Sequence, residues 1–415
     1  MLPWLSPLIL GATLALILTR PRGIPESWVA ALGAVVTVLF GIVSIRGVAA
    51  VLAETAGALL FLLGMMVLTI LVEQAGVFDR VAEVFVRLSR GSGVLLFCGL
   101  FILGALVTIF LSLDSTIIML TPVIYSLVSR RRFDALPFMF ACTFVANTSS
   151  LALPISNLTN LLVYSQLQIR FGDFAARMWL PTLVAVGVNL AVFLWVFRGR
   201  LPGRFEIESS ERLTKIDSRF VISSIFLALT LAAVLLLGLA DLPLAWASLT
   251  GGLGLLGVAV WRREIHLSTV LGEISWSLFV FVIGMFVIVR GIEQSWLATV
   301  KLTLPSDPTS SLLMAMFAGT LGSNITNNVP LVILAVPVLS HLSGATQKMA
   351  AFGLLLGANI GPALTTYGSL ATMLWLTLVR RRGIDISNIE YMKVGLLTVP
   401  PVLAAATLSL LVVPR

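Results

Sequence analysis

The sequence predicts an all-α polytopic membrane protein built from two inverted repeats, and three observations lead to this fold class. First, 58% of the 415 residues are hydrophobic and only 11% are charged, and apolar runs of about 18 residues or more recur along the chain. Second, polar residues interrupt one such run in NTSSLALPISNLTN (147–160). Third, a late stretch, NIGPALTTYGSLAT (359–372), aligns with the first at a constant offset. Matching polar breaks in two halves indicate a transport site, with ordinary Pro/Gly kinks as the alternative.

The first repeat, residues 1–197, is predicted to contain five transmembrane spans, counting one broken helix, and one re-entrant hairpin. The spans are 2–19, 28–45, 52–75, the broken helix 133–168 and 174–197, and the hairpin is 91–128. Basic residues flank the hairpin at both ends and prefer the cytoplasmic side, so a segment that returns to its starting side is favoured. The broken helix is too long for one straight crossing of a ~30 Å core, and we expect it to unwind at 147–156.

The second repeat, residues 220–415, follows a polar cytoplasmic linker at 198–219 and repeats the same pattern. Its spans are 220–240, 242–260, 267–292, the broken helix 348–378 and 391–413. Its hairpin is 305–342, with a polar tip at 322–328. FLLGMMVLTILVEQ (61–74) aligns with FVIGMFVIVRGIEQ (281–294). An odd number of crossings inverts the second repeat relative to the first. Placing the arginines at 130–132 inside puts most of the 27 basic residues inside and both termini outside.

Asp114 is the strongest single candidate for a functional residue, because it lies at the tip of the first hairpin, in SLDST (112–116). A carboxylate at mid-membrane depth is costly and is a functional hypothesis by default. Burial disfavours its charged form, so we expect Asp114 to gain and lose a proton in the physiological range. The structural alternative is an N-cap for a helix at 116–128. Glu73 and Glu293 occupy matching positions near span ends, where we expect them to pair at the membrane boundary.

The neutral polar residues of the breaks and tips are candidates for solute binding. Half-helices restarting at Leu158 and Leu370 would aim free N–H groups at the breaks, and the tips at 114–116 and 324–328 would meet them. Such groups suit an anion, a sodium ion or a neutral polyhydroxy solute. Inter-helix hydrogen bonds worth about 0.6 kcal/mol each are the structural alternative. The substrate-binding candidates are Ser115, Thr116, Asn147, Ser156, Asn157, Thr159, Asn160, Asn327, Asn328, Asn359, Thr365, Gly368, Ser369 and Thr372.

Several classes of function are excluded by composition and spacing. The net charge of +8 comes from basic residues scattered in short loops, which is typical of membrane topology rather than of nucleic-acid binding. The sequence has no Walker-type glycine loop and no His/Cys/Glu cluster with metal-ligand spacing, so we expect no ATP site, metal or cofactor. Cys98 and Cys142 are predicted to be buried thiols. An intramembrane enzyme would need a base or second carboxylate near Asp114, so we predict that the chain is not an enzyme.

Four segments resemble the ArsB-type arsenite/antimonite efflux permeases of the ion transporter superfamily. They are DSTIIMLTPVIYSL (114–127), FVANTSSLALPISNLTNLL (144–162), NNVPLVILAV (327–336) and GSLATMLWL (368–376). The resemblance implies a secondary transporter in the plasma membrane that exports arsenite or antimonite as the neutral trihydroxide. It further implies proton antiport with Asp114 as proton carrier, elevator-like movement, a homodimer and a soluble arsenite-stimulated ATPase as a partner.

Two departures and two alternatives accompany this resemblance. The family usually has an Asn-Asp pair at the first tip, whereas Leu113 precedes Asp114 here. Sodium/proton antiporters and sodium-coupled dicarboxylate carriers share the architecture. The carboxylate carriers typically carry Ser-Asn-Thr in both halves, whereas this chain has Ser-Asn-Leu (156–158) and Gly-Ser-Leu (368–370), which disfavours that alternative.

Overall fold

The computed structural model describes residues 4–19, 24–206, 216–297 and 305–413, and these residues form helices without any β-strand. Seven of the described helices are long and apolar enough to cross a membrane, and shorter apolar helices accompany them. The seven are Ile45–Gln74, Gly93–Leu111, Phe171–Val196, Ser218–Leu239, Leu244–Trp261, Trp276–Trp296 and Asn388–Val412. The predicted all-α, multi-pass membrane protein is therefore confirmed.

The first three helices correct two predicted boundaries. They are α1 (Leu5–Thr19), α2 (Glu26–Leu39) and α3 (Ile45–Gln74). The second span was predicted at 28–45, but α2 ends earlier because Gly41 takes a left-handed φ of 68°. Ser44 then caps α3 by accepting a hydrogen bond from the Gly47 amide at 3.1 Å. The 30-residue α3 therefore begins before the predicted third span at 52–75.

The segment predicted as the first hairpin leaves one end of the molecule and returns to it. It contains α5 (Gly93–Leu111), α6 (Leu113–Ser115), a π-turn (Thr116–Leu120) and α7 (Thr121–Arg130), and the amphipathic α4 (Val77–Leu88) precedes it. Phe205 touches both ends, since its amide donates to the Gly91 carbonyl at 2.8 Å and its ring lies 5.2 Å from that of Phe133. Phe205 belongs to the predicted linker 198–219, whose residues 207–215 lie outside the described residues.

The reversal in this segment occurs at Ser112, which has a φ of 122°. The Thr108 and Thr116 hydroxyls lie 2.7 Å apart across it. Eight residues of uninterrupted helix would separate them by about 12 Å, so the chain turns sharply here.

The segment predicted as the first broken helix is interrupted, but later than expected. It contains α8 (Ala135–Ser149), a 3₁₀ turn (Pro154–Ser156) and α9 (Leu158–Gln166), and α10 (Phe171–Val196) follows. The break was predicted to begin at Asn147, yet this residue stays helical. Asn147 donates to the Thr143 carbonyl at 2.8 Å and Thr148 to the Phe144 carbonyl at 2.8 Å, so these polar side chains bond within their own helix.

The described part of the second half repeats the order of long helices, reversal and break, with one split span. Its first helices are α11 (Ser218–Leu239), α12 (Leu244–Trp261), α13 (Leu267–Glu273) and α14 (Trp276–Ile292), which a π-turn (Glu293–Leu297) extends. The eighth span was predicted as one helix at 267–292. The chain instead becomes extended at Ile274, and the Trp276 indole holds the corner by donating to the Leu271 carbonyl at 2.9 Å.

The remaining helices carry the second reversal and the second break. They are α15 (Pro308–Thr326), α16 (Asn328–Leu339), α17 (Gly344–Ile360), a 3₁₀ turn (Gly361–Leu364), α18 (Leu370–Arg380) and α19 (Asn388–Val412). The second tip was predicted to be a polar loop over 322–328, but residues 322–326 are helical. Asn327 alone, with a φ of 76°, separates α15 from α16. Asn and Asp tolerate positive φ better than most side chains, which allows so tight a reversal.

Close helix contacts join the two halves. A Cβ on Gly64 of α3 would collide with the backbone of Ser248 on α12, and a Cβ on Gly284 of α14 would collide with the backbone of Ala30 on α2. Each glycine therefore lets one helix of one half approach the backbone of a helix of the other half. These contacts hold α2, α3, α12 and α14 together beside the two breaks.

Candidate transport site

Polar side chains of the first break meet the end of α17. The Asn359 carboxamide oxygen accepts from Asn157 Nδ2 at 3.0 Å and from the Thr159 hydroxyl at 2.7 Å. Its nitrogen donates to Asn160 Oδ1 at 2.6 Å. All four side chains are buried. We refer to Asn157, Thr159, Asn160 and Asn359 as the first crossing.

Polar side chains of the second break meet α8 in a corresponding way. Asn147 Nδ2 donates to the Thr372 hydroxyl at 3.4 Å, and the Ser369 hydroxyl donates to the same oxygen at 2.8 Å. The Thr143 hydroxyl lies 3.5 Å from that of Thr372. We refer to Asn147, Thr143, Ser369 and Thr372 as the second crossing, and all four are buried.

The two crossings are formed by residues at corresponding positions of the alignment, with the contributions of the two halves interchanged. At the constant offset of the sequence alignment, Asn147 corresponds to Asn359, and Asn160 corresponds to Thr372. The contact of Asn359 with Asn160 therefore has its counterpart in the contact of Asn147 with Thr372. The polar residues of the two halves lie together in the interior.

Helix starts stand at both crossings. Asn157 caps α9 by accepting from the Thr159 amide at 3.3 Å, and Ser369 caps α18 by accepting from the Thr372 amide at 3.1 Å. The helices begin at Leu158 and Leu370, as the sequence predicted. Because the first amides of a helix lack intrahelical partners, both starts present hydrogen-bond donors to the breaks.

Asp114 lies in the first helical turn after the reversal at Ser112. The N-cap interpretation of Asp114 is wrong, because the Ser112 hydroxyl takes that role and accepts from the Ser115 amide at 3.4 Å. The Ser115 hydroxyl donates back to the Leu111 carbonyl at 3.2 Å. Within the described part of the chain no side chain pairs with the Asp114 carboxylate, which points into a cavity.

This cavity has a volume of about 320 Å³ and lies between the first hairpin, α3, α14 and α18. Its wall carries three carboxyl groups, those of Asp114, Glu26 and Glu273, and its described lining includes no Lys, Arg or His. Hydroxyl groups surround them on Ser27, Thr69, Ser115, Ser275, Ser277 and Thr377. The cavity can therefore offer hydrogen-bond acceptors and negative charge to a small solute.

A second cavity, of about 100 Å³, lies between α14 and α16 and is lined by charged side chains. Arg290 pairs with Glu54 across the two halves, and its Nε lies 3.1 Å from Glu293 Oε2. The predicted pairing of Glu293 is thus confirmed, and its place at the membrane boundary stays a prediction. Glu73, its counterpart, instead lines a surface depression with Asp79, Arg130 and Arg382.

The tips of both reversals dock against the break of their own half. In the second half, Asn327 donates to the Tyr367 carbonyl at 3.2 Å, and the Asn328 amide donates to the Gly368 carbonyl at 3.0 Å. In the first half, the Ser156 hydroxyl donates to the Ile109 carbonyl at 2.7 Å. These predicted candidates therefore bond to backbone near the breaks rather than to the crossings.

Two further predicted candidates have mainly local roles. The Thr365 hydroxyl donates to Asn324 Oδ1 at 2.7 Å, which places it beside the second tip. Thr116 bonds to Thr108 and to the Ser112 carbonyl within the first reversal. Gly368 has no room for a side chain, since a Cβ there would meet Pro362 and Asn324.

Comparison with known proteins identifies the family. Residues 14–358 match the family model described as "Citrate transporter". The chain belongs to the citrate transporter family. The transporter is 27% identical to the arsenical pump membrane protein of Escherichia coli K12, over 96% of both chains, and 26% identical to the putative arsenical pump membrane protein of Bacillus subtilis, over 94% of both. The resemblance to arsenical pumps is confirmed.

The fold of the transporter is similar to that of a solved relative. The YdaH transporter of Alcanivorax borkumensis superposes with a TM-score of 0.57 over 88% of each chain, at 16% identity. At this identity the likeness concerns the fold alone.

Sequence reasoning missed two carboxylates of the transporter. Glu26 and Glu273 line the large cavity with Asp114 but were not singled out. Glu273 falls within the predicted span 267–292, and Glu26 directly precedes the span predicted at 28–45. An acidic residue within or beside an apolar span was the signal that could have found them.

Proposed function

We propose that the chain is a secondary active transporter that exports arsenite or antimonite as the neutral trihydroxide, by antiport with protons carried by Asp114. The observation that carries the proposal is the charge of the large cavity. Its described wall has three carboxyl groups and no cationic side chain. The names of the relatives in Escherichia coli and Bacillus subtilis support the same substrate class.

The cavity charge argues against citrate and dicarboxylates as substrates. Two unit charges about 4 Å apart interact by about 4 kcal/mol at an effective dielectric constant of 20. An anionic substrate beside Asp114 would meet this repulsion, and Glu273 would add to it. A neutral trihydroxide meets no such repulsion, and its hydroxyls can donate to carboxylate and hydroxyl oxygens.

The same negative charge favours a second candidate, sodium/proton antiport, because a sodium ion would be attracted to these carboxylates. Arsenite export remains the better supported function, since the named relatives with nearly full coverage are arsenical pumps. The test below separates the two.

Proton antiport would supply the driving force for export of a neutral solute. Each proton that enters across 100 mV releases about 2.3 kcal/mol. Since about 1.4 kcal/mol corresponds to a tenfold ratio, one proton supports a solute gradient of roughly fifty-fold. Asp114 is suited to carry it, because it lines the cavity and has no charge partner among the described residues.

We further propose inverted repeats and elevator-like alternating access. The exchanged contacts of the two crossings support an internal two-fold relation, and so do the matching glycine contacts of α3 with α12 and of α14 with α2. The two cavities support alternating access. One has a volume of about 320 Å³, and the other, beside Arg290 and its two glutamates, has a volume of about 100 Å³.

We place the mouth of the large cavity on the cytoplasmic side of the plasma membrane, and both termini outside. Tyr125 donates to the Arg382 carbonyl at 3.1 Å, which brings the basic ends of α7 and α18 together. The cavity extends along α18 towards Arg380, the same basic end. Basic clusters prefer the inside. The homodimer and the arsenite-stimulated ATPase partner stay predictions of the resemblance.

The test is ligand-dependent stabilisation of the purified protein, measured with arsenite, antimonite, sodium and citrate. A ligand at 100 times its Kd stabilises the folded state by about 2.7 kcal/mol, which raises the melting temperature. We expect arsenite and antimonite to raise it, and citrate to leave it unchanged. A rise with sodium alone selects sodium/proton antiport, and a rise with citrate alone overturns the charge argument.

A further inference from the structure

The two crossings differ at one atom. At the first crossing, Asn359 Oδ1 accepts hydrogen bonds from Asn157 and Thr159. At the second crossing, the corresponding oxygen, Asn147 Oδ1, is buried and has no hydrogen-bond partner. The difference follows from the sequence at the two positions that would supply the donors.

The missing donors are explained by Ser369 and Ala371, which correspond to Asn157 and Thr159 at the same offset. Ser369 directs its hydroxyl to Thr372, at 2.8 Å. Ala371 has no polar side chain. The second half therefore lacks counterparts of the two first-half donors that saturate Asn359 Oδ1.

The orientation of the Asn147 carboxamide is determined by its neighbour. Nδ2 lies 2.8 Å from the Thr143 carbonyl oxygen, which can only accept a hydrogen bond. The group facing Thr143 must therefore be the NH₂, and the orphaned atom must be the oxygen.

One more polar atom without a partner adjoins the second crossing. The Trp375 indole N–H has no hydrogen-bond partner. The Tyr391 hydroxyl lies beside the Thr143 and Thr372 hydroxyls. The rings of Tyr391 and Trp375 are 5.7 Å apart. None of the four side chains of the first crossing has such an atom. A buried unsatisfied polar group costs about 1–3 kcal/mol, so a cluster of them needs an explanation.

The second crossing also adjoins the large cavity, whereas the first does not. Leu370 and Met373, on the α18 turn that carries Ser369 and Thr372, line the cavity. Its described lining includes no residue from the start of α9. Of the two crossings, the unsaturated one is therefore the one that α18 connects to the cavity wall.

We infer that the second crossing binds the transported solute, with a substrate hydroxyl donating to Asn147 Oδ1. The first crossing has a structural role and does not bind the solute. The inference rests on the proposed function and narrows it to one of two similar sites. A small neutral trihydroxide fits the chemistry of this site, because one of its hydroxyls can donate to Asn147 Oδ1 and another can accept from the Trp375 indole N–H.

Ala371→Thr tests the inference, because it restores the hydroxyl that Thr159 supplies in the first half. We expect the introduced threonine hydroxyl to saturate Asn147 Oδ1. Arsenite affinity, read from ligand-dependent melting, should fall about tenfold or more, which corresponds to about 1.4 kcal/mol. Ala371→Val has nearly the same shape without the hydroxyl and should retain more of the affinity. Equal affinity in the two variants would overturn the inference.

A second pair of variants remains informative if position 371 does not tolerate a larger side chain. Asn147→Ala should weaken arsenite binding about tenfold or more with a small change in melting temperature without ligand. Asn359→Ala should lower that melting temperature, since Asn157, Thr159 and Asn160 lose their partner, and should retain the affinity. The reverse pattern overturns the inference. If the unaltered protein shows no arsenite response, the proposed function itself fails, and this assignment fails with it.

Discussion

Asp114 lies in a helical turn that does not need its carboxylate, and we propose that this carboxylate carries protons. Its helical turn is capped by Ser112, so the carboxylate is not needed to start the helix. It lines the large cavity, and the described residues include no partner for its charge. A carboxylate at membrane depth without a structural partner is energetically unfavourable, so a function is the simplest explanation for it.

Asp114→Asn should abolish proton-driven arsenite uptake into everted vesicles, because the amide cannot carry the proton. Folding should be unaffected, since the substitution breaks no hydrogen bond of the described structure. Asp307→Asn is the matched control. Asp307 is exposed and caps α15 by accepting from the Ser310 amide at 2.8 Å, and an amide oxygen can accept the same bond. Full uptake in Asp114→Asn would remove Asp114 from the mechanism.

At the scale of helices, close approach of backbones joins the two halves. In a membrane the hydrophobic effect does not drive helices together, so small residues that permit close van der Waals packing have that role. Gly64 on α3 faces the backbone of Ser248 on α12, and Gly284 on α14 faces Ala30 on α2. The two contacts correspond to each other, as expected for a helix packing that occurs once in each half.

Gly64→Ala should destabilise the protein by about 1–3 kcal/mol, because the added methyl forces α3 and α12 apart. Gly57→Ala on the same helix is the control. Gly57 is exposed, and a Cβ there meets nothing within 4 Å. Alanine should even favour the helix at that position by about 0.5–1 kcal/mol. Thermal unfolding in detergent measures both variants, and equal melting temperatures would contradict the packing argument.

Helix boundaries were predicted less well than helix identities. Hydropathy located most spans, but it did not detect the turn at Gly41 or the extended residue at Ile274, because both lie inside apolar sequence. The polar tip predicted at 322–328 is mostly helical for a related reason. Asn324 Nδ2 donates to the Thr320 carbonyl at 2.8 Å, and Thr326 donates to the Gly322 carbonyl at 2.9 Å, so these polar side chains bond within α15.

At the scale of the whole molecule, the proposed alternating access would use the two cavities, which lie at different ends of α14. Ser277 lines the large cavity beside α14, and Ser340 lines the small one at the end of α16. The proposed orientation places Ser277 on the cytoplasmic side and Ser340 on the outer side.

Cysteine labelling tests this orientation in a background with Cys98 and Cys142 replaced by alanine, which removes both native thiols. In that background, the cysteine of Ser277→Cys should react with a membrane-impermeant maleimide in everted vesicles and stay unreactive in intact spheroplasts. Ser340→Cys should show the opposite pattern. Labelling of both positions from one side would contradict the proposed orientation.

Hydropathy and the polar interruptions were enough to predict an all-helical membrane transporter and the restart of two helices at Leu158 and Leu370. Local sequence determines these properties, because transfer of a segment into the bilayer and the capping of a helix depend on neighbouring residues. The hydrogen-bond partners of the buried polar atoms could not be predicted from local sequence. Asn147 and Asn359 occupy equivalent positions in the alignment, yet only the three-dimensional packing shows that one oxygen has two donors and the other has none. Hydrogen bonding depends on distances between groups from opposite halves of the chain, and so does the convergence of Glu26 and Glu273 on Asp114.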